Sequence, residues 1–188
     1  LSGFGDIAFN VNAANGTFTI AGAANIGSAT GTDVTASSSN VSIKADVLSF
    51  AAGTTLNTSG TVVMEPLSTS FGSAVSTANV AMNGISGLRI GKSGNTANIG
   101  IDRALSVAGP VSLYGGSINS AYNIDLTTGD TLTVNNTGSS LMSGVISGTG
   151  ASLAKLGAGV LTLTGTNTYT GGTSLDAAST LVVGNGTA

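Results

Sequence analysis

The chain carries neither histidine nor cysteine. That removes the commonest general base, the thiolate nucleophile and every usual zinc-binding set. Lysine occurs only at Lys44, Lys92 and Lys155, and a serine–lysine pair is formally available through any of them. Lys155 falls in the strand-like segment 152–156, where its simpler reading is a solvated strand position. Two carboxylates facing a sugar hydrolyse glycosides, and the candidates are Asp125 with Asp130, or Asp102 one turn from either. Yet Asp130 follows the turn Thr128-Gly129, and Asp125 alternates with Ile124 and Leu126 on a wet face. Isolated aspartates in such places usually bond nearby backbone amides. Asp102-Arg103 reads as a surface ion pair, worth about 0–1 kcal/mol. Gly91-Lys92-Ser93 has the ending of a phosphate-binding loop, but Ser86 stands where the opening glycine belongs and no helix follows. No Asp-x-Asp-x-Asn-Gly cluster offers calcium its oxygens. No residue is assigned to catalysis, to a metal or to a cofactor.

Two residue classes remain as ligand contacts. Thr-x-Thr steps occur at Thr17/Thr19, Thr131/Thr133, Thr162/Thr164 and Thr166/Thr168/Thr170. Stacked in register they would form a row for ice or sugar hydroxyls. They do not recur at every repeat, and threonine suits the exposed side of any strand. Tyr114 and Tyr122 lie near Gly115-Gly116 and are the better candidates for stacking against a sugar ring. Tyr169 reads as packing over a corner.

The elements that position these residues are short strands. Apolar-x-apolar triplets, the period-2 mark of a strand with one buried face, run through segments 7–11, 18–20, 41–43, 48–50, 62–64, 88–90, 99–101, 105–107, 111–113, 124–126, 132–134, 161–163 and 181–183. Strands so short bury an apolar side only if the chain winds and stacks each on the one a turn earlier. Ile43 to Val63, Leu113 to Leu132 and Leu161 to Leu181 are each separated by about 20 residues, a length typical of solenoid repeats. At about 4.8 Å per stacked strand, some nine turns make a rod of roughly 45 Å. The inward set reads Ile7, Phe9, Ile20, Ile43, Val63, Leu88, Ile90, Leu113, Leu132, Val134, Leu161, Leu163 and Leu181. Corners fall at Asn15-Gly16, Gly31-Thr32-Asp33, Gly53-Thr54, Gly115-Gly116 and Gly171-Gly172. Pro110 fits a corner and Pro66 ends a strand. Residues 65–81 and 83–98 break the rhythm and are expected as loops leaving the rod.

Composition agrees with an all-β chain. Of 188 residues only 7% are charged, against about a quarter in ordinary domains, too few to clothe the wet face of even two helices. The 41% apolar content is enough to bury a core. No apolar run approaches the roughly 18 residues of a spanning helix. A transmembrane barrel would need strands of about 9–11 residues with aromatic girdles, and aromatics are 4% with no tryptophan. Without cysteine, a secreted fold of this kind relies on stacking rather than disulfides. The net charge is −3 with no basic block, so nucleic acid is not an expected partner.

Segment 144–188 closely resembles the autotransporter-associated β-strand repeat of bacterial surface proteins. The matching residues are Leu153, Lys155, Gly157, Gly159, Leu161, Leu163, Gly165, Asn167, Thr168, Tyr169, Gly171 and Thr173. Ala178-Ser179 departs from it, where the family tends to have a glycine turn. Segments 87–99 and 104–111 are similar to repeats of filamentous-haemagglutinin-like adhesins. Both resemblances imply a passenger segment of a Gram-negative type V secreted protein, secreted or on the outer face of the outer membrane, built as a right-handed single-stranded parallel β-helix. The expected division is haemagglutinin-like turns over 1–143 and the autotransporter-associated repeat over 144–188, continuing one solenoid. The expected function is a non-catalytic stalk or adhesive section that attaches to a cell, an abiotic surface or a glycan. The alternative is a glycan-binding or polysaccharide-active β-helix. Neither end of the sequence offers a cap, so the parent chain is expected to continue towards a translocator or partner transporter, and the fragment to self-associate end to end.

Overall fold

The computed structural model describes residues 7–11, 16–20, 25–27, 40–127 and 129–184. Every regular element among them is a β-strand. Each apolar triplet makes one strand, and Gly, Asn, Ser or Pro stops it within a few residues. The chain then turns a corner and starts the next.

The first circuit holds β1 (Ile7–Asn10), β2 (Thr17–Ile20) and β3 (Asn25–Gly27). The second holds β4 (Val41–Lys44), β5 (Val47–Phe50) and β6 (Thr54–Asn57). The third holds β7 (Thr61–Glu65), β8 (Val75–Ser76) and β9 (Val80–Asn83). Then follow β10 (Gly87–Ile90), β11 (Ile99–Ile101) and β12 (Leu105–Val107), and β13 (Val111–Gly115), β14 (Ile118–Ser120) and β15 (Ile124–Leu126). The sixth circuit holds β16 (Thr131–Asn136), β17 (Ser140–Met142) and β18 (Ile146–Ser147). The last described strands are β19 (Ser152–Leu156), β20 (Val160–Leu163), β21 (Thr173–Leu175) and β22 (Thr180–Val183).

Stacking produces three faces. Face one is a continuous eight-stranded sheet, β1-β4-β7-β10-β13-β16-β19-β21. Face two carries β2-β5 and, separately, β8-β11-β14-β17-β20-β22; face three carries β3-β6-β9 and β12-β15-β18. All pairings are parallel, as winding in one sense requires. The protein is a parallel β-solenoid of about seven turns with about 21 residues per turn. The nine-turn expectation was too high, because it counted irregular segments at the regular period. At about 4.8 Å per step, seven turns span about 34 Å.

Two inward columns of face one define the core. Val41, Val62, Leu88, Val111, Leu132 and Leu153 stack in one; Ile43, Met64, Ile90, Leu113, Val134 and Lys155 stack in the other. All are buried. Faces two and three add Ile99, Ile118, Leu161 and Leu163, and Leu105, Ile124 and Leu126. Each aliphatic side chain so buried contributes about 1.5–3 kcal/mol. One reading of the inward set needs correction. Val63 is half-exposed and points outward, because Val62 and Met64 take the inward places of β7. The partner of Ile43 is therefore Met64, and that of Leu113 is Val134 rather than Leu132. Phe9 and Leu181 are only partly buried but pack against the core. The inward assignments of Ile7 and Ile20 rest on side chains that are not described, and Asn15 of the first corner and the corner at 31–33 lie outside the described residues.

Adjacent circuits are stitched by asparagine. Oδ1 of Asn98, Asn119, Asn123 and Asn167 accepts the backbone N–H of Ser117, Leu141, Val145 and Ile146, at 3.0, 2.8, 2.9 and 2.8 Å. Gly91 sits at another corner with φ of 81°, where a Cβ would collide with the carbonyl of Tyr114.

The irregular segments do not leave the rod. Residues 65–81 include β8 and the start of β9, and 83–98 includes the end of β9 and β10. Val62 to Leu88 is a longer step than Val41 to Val62. The extra chain is anchored. Pro66 follows β7 and is itself buried. The buried Asp46 accepts Ser68 N–H and Oγ–H, both at 2.7 Å. Phe71 is 5% exposed, and its N–H donates to Oδ1 of the buried Asn95 at 3.1 Å. Sequence periodicity sees none of these polar anchors.

Candidate functional site

Among the described residues, charged side chains are placed singly or in small structural groups. On face one, Lys44 Nζ lies 3.6 Å from Glu65 Oε1, and Arg89 Nη2 2.7 Å from Glu65 Oε2. Lys92 Nζ donates to the carbonyls of Pro66 and Leu67 at 2.9 and 3.3 Å. Asp125 lies on β15 of face three, where Oδ1 accepts Ser147 Oγ–H at 2.8 Å. Asp130 stands beyond the corner at Gly129, whose φ is 79°. Asp102 lies just after β11. Its carboxylate accepts the hydroxyl of Ser76, and Arg103 Nη1 donates to Ala78 O at 3.4 Å. The expected Asp102–Arg103 pair is therefore not formed, because each side chain reaches the preceding circuit instead. Among the described residues no three acidic groups are close enough to hold a metal ion. Asp102, Asp125 and Asp130 are distributed over a corner, a face and the next corner.

Lys155 is the largest departure from the sequence reading. It is fully buried rather than solvated. The alternation of β19 places it in the inward column above Val134. Its Nζ donates to the carbonyls of Leu156 and Gly157 at 2.6 and 2.9 Å. Burial pushes its pKa below the ordinary lysine value, opposed by the charge of Asp176. Four methylenes fill core volume, and the amine is met at the corner by two carbonyls left open by the turn. The signal available in the sequence was its position at i+2 from Leu153. Nearby, Asn136 is also buried; Nδ2 donates to Gly138 O and Val160 O at 2.6 and 3.0 Å.

The structure does not bring the two tyrosines together. Tyr114 lies on β13 of face one, half-buried in register with Asn135. Tyr122 lies in the corner after β14 and is 49% exposed. Tyr169 packs against the core, and its hydroxyl is 2.7 Å from Thr173 Oγ1. The threonine steps also fall apart: Thr133 stacks between Ser112 and Ala154 on face one, while Thr162 pairs with Leu141 and Val182 on face two.

The outward column of face two is an ordered polar surface that sequence reasoning missed. Ser76, Gly100 and Asn119 occupy successive strands in register, and Leu141 follows on β17. Gly100 has no side chain, and the carboxylate of Asp102 folds over it. A Cβ built on Gly100 would meet Asp102 Oδ2 at 2.5 Å. The column therefore presents a hydroxyl, a carboxylate, an amide and then Leu141, which is 45% exposed. A groove of about 210 Å³ opens there, lined by Asp102, Asn119, Ser120, Ala121, Leu141 and Ser143. Only the stacking register reveals that Gly100 makes room for a side chain two residues on.

No curated protein and no solved structure matches the chain. Residues 153–183 match the model of the passenger-associated-transport-repeat. They span β19 to β22, including Lys155 and the anchoring Tyr169. A passenger repeat implies a secreted or surface-exposed setting. The C-terminal match and the parallel β-solenoid together fit the repeat region of an autotransporter passenger.

Proposed function

We propose that the chain is a non-catalytic rod section of a secreted bacterial passenger, holding surface groups away from the cell and attaching to a cell, abiotic or glycan surface. The observation that carries this is the unbroken eight-stranded ladder of face one, which makes length rather than a cleft the product of the fold. The charged residues support a structural part, since Glu65 ties two cations and Asp46 anchors a loop. The passenger-associated repeat belongs to a generally non-catalytic family. A translocator or partner transporter is the further partner this reading calls for, and copies of the chain would self-associate end to end.

Antibody against the chain, applied to unpermeabilised native cells, tests the display half. Surface labelling is the expected result, and labelling only after permeabilisation overturns it. Beads coated with the purified chain test attachment. Retention under flow on cell, plastic or glycan-coated surfaces, above that of uncoated beads, is expected. Retention no greater than that of uncoated beads on every one of these surfaces removes the adhesive part.

A further inference from the structure

We propose that the groove on face two at Asp102, Asn119 and Leu141 binds one neutral hexopyranose ring through two adjacent hydroxyls. The proposal rests on the attachment reading above and names its ligand class and place.

The polar groups are oriented by their internal bonds. Asp102 Oδ2 accepts Ser76 Oγ–H, which leaves Oδ1 without a hydrogen bond among the described residues. Asn119 Oδ1 accepts the N–H of Leu141 at 2.8 Å, which leaves Nδ2 as the donor this groove-lining residue can offer a ligand. One open acceptor, just after β11, and one open donor, on β14, thus line the groove from adjacent circuits. Adjacent hydroxyls of a pyranose can engage both, one donating to the carboxylate and the other accepting from the amide. Leu141 and Ala121 offer apolar surface to the ring's C–H groups, and Ser143 adds a hydroxyl at the rim.

Other ligands fit less well. The Asp102 carboxylate repels anions. An added peptide strand needs an open sheet edge, but β11 and β14 are paired on both sides. The groove volume is below the roughly 300 Å³ at which pockets for drug-sized ligands begin, so one ring is the appropriate size. A shallow single-ring site gives a Kd on the order of 1–10 mM, and useful attachment follows from many rods on one surface.

The whole chain is titrated with the methyl glycosides of glucose, galactose and mannose to about 100 mM, followed by amide NMR. At least one sugar is expected to shift the Asn119 side-chain amide and the backbone amides of Gly100 and Leu141, with saturation. Asn119→Asp keeps the acceptor for Leu141 N–H and removes the donor. Gly100→Ala displaces the Asp102 carboxylate without touching the sugar directly. Both positions face outward, so the fold should persist, and each variant should weaken binding about tenfold. No shift with any of the three sugars overturns the site, as does binding unaltered in both variants. A failed titration alongside retained bead attachment removes this site alone. Lost attachment alongside a successful titration removes the attachment reading alone.

Discussion

A buried lysine in an aliphatic column makes folding sensitive to pH in an unusual direction. Lys155 is held in the core with its amine on two carbonyls, and burial lowers its pKa from 10.5. The folded state binds the proton less well than the unfolded chain. Stability is therefore reduced below the folded-state pKa and rises as pH climbs from that value towards 10.5. Thermal melts of wild type should gain in midpoint over that window relative to Lys155→Met, which has no proton to lose. Parallel curves for the two proteins would show that the amine does not titrate in the fold. Because methionine can fill the same volume, Lys155→Met should retain the fold and match or exceed wild-type stability at neutral pH. At the corner, Gly91→Ala forces a side chain into a positive φ and against Tyr114 O; it should destabilise by about 1 kcal/mol or more, read as a lower urea midpoint.

Elements of three to five residues have little tolerance for a wrong face. In β7 the triplet Val62-Val63-Met64 is apolar throughout, so alternation within the strand could not choose the inward pair. The flanking Thr61 and Glu65, both outward, settle it. The expected substitution pattern follows. Leu163→Asp buries an unpaired charge and should cost several kcal/mol, whereas Val63→Thr on the wet side should stay within about 0.5 kcal/mol. Chemical denaturation separates the two, and a large loss at Val63 with none at Leu163 would reverse the assignment. The same limit explains which strands were legible. Strands with two inward aliphatics, such as β11, β12 and β15, were readable from sequence. β14, β17 and β18 were not, because their inward places include Ser120 and Ser140, and Ile146 stands in a strand of two residues. Ser140 Oγ accepts Ile118 N–H at 2.8 Å, so a polar inward residue here replaces an aliphatic one by closing a hydrogen bond. The face-two groove was illegible for a related reason: Asp102 and Asn119 are separated in sequence and meet only through the register of Gly100 with Asn119.

At the scale of the molecule, the solenoid is modular: each circuit touches mainly the circuits before and after it. Removing residues 132–152 takes out one whole step, since Leu132 pairs with Leu153. The shortened chain should keep its β-type circular dichroism and cooperative melt. Removing only 132–141 should not, because it cuts a circuit in half and shifts every later inward residue. The central claim is the parallel, in-register stack, and the lack of cysteine allows it to be measured directly with spin labels. Ser42, Val63, Arg89, Ser112, Thr133 and Ala154 form one outward column of face one. With one label at position 42 and the second at 112, 133 or 154, pulsed electron–electron resonance should give distances rising in equal increments. Those distances should be about 14, 19 and 24 Å, one strand spacing per circuit. Distances that fail to rise in that order, or that place 154 closer to 42 than 112 is, would contradict the stacked rod.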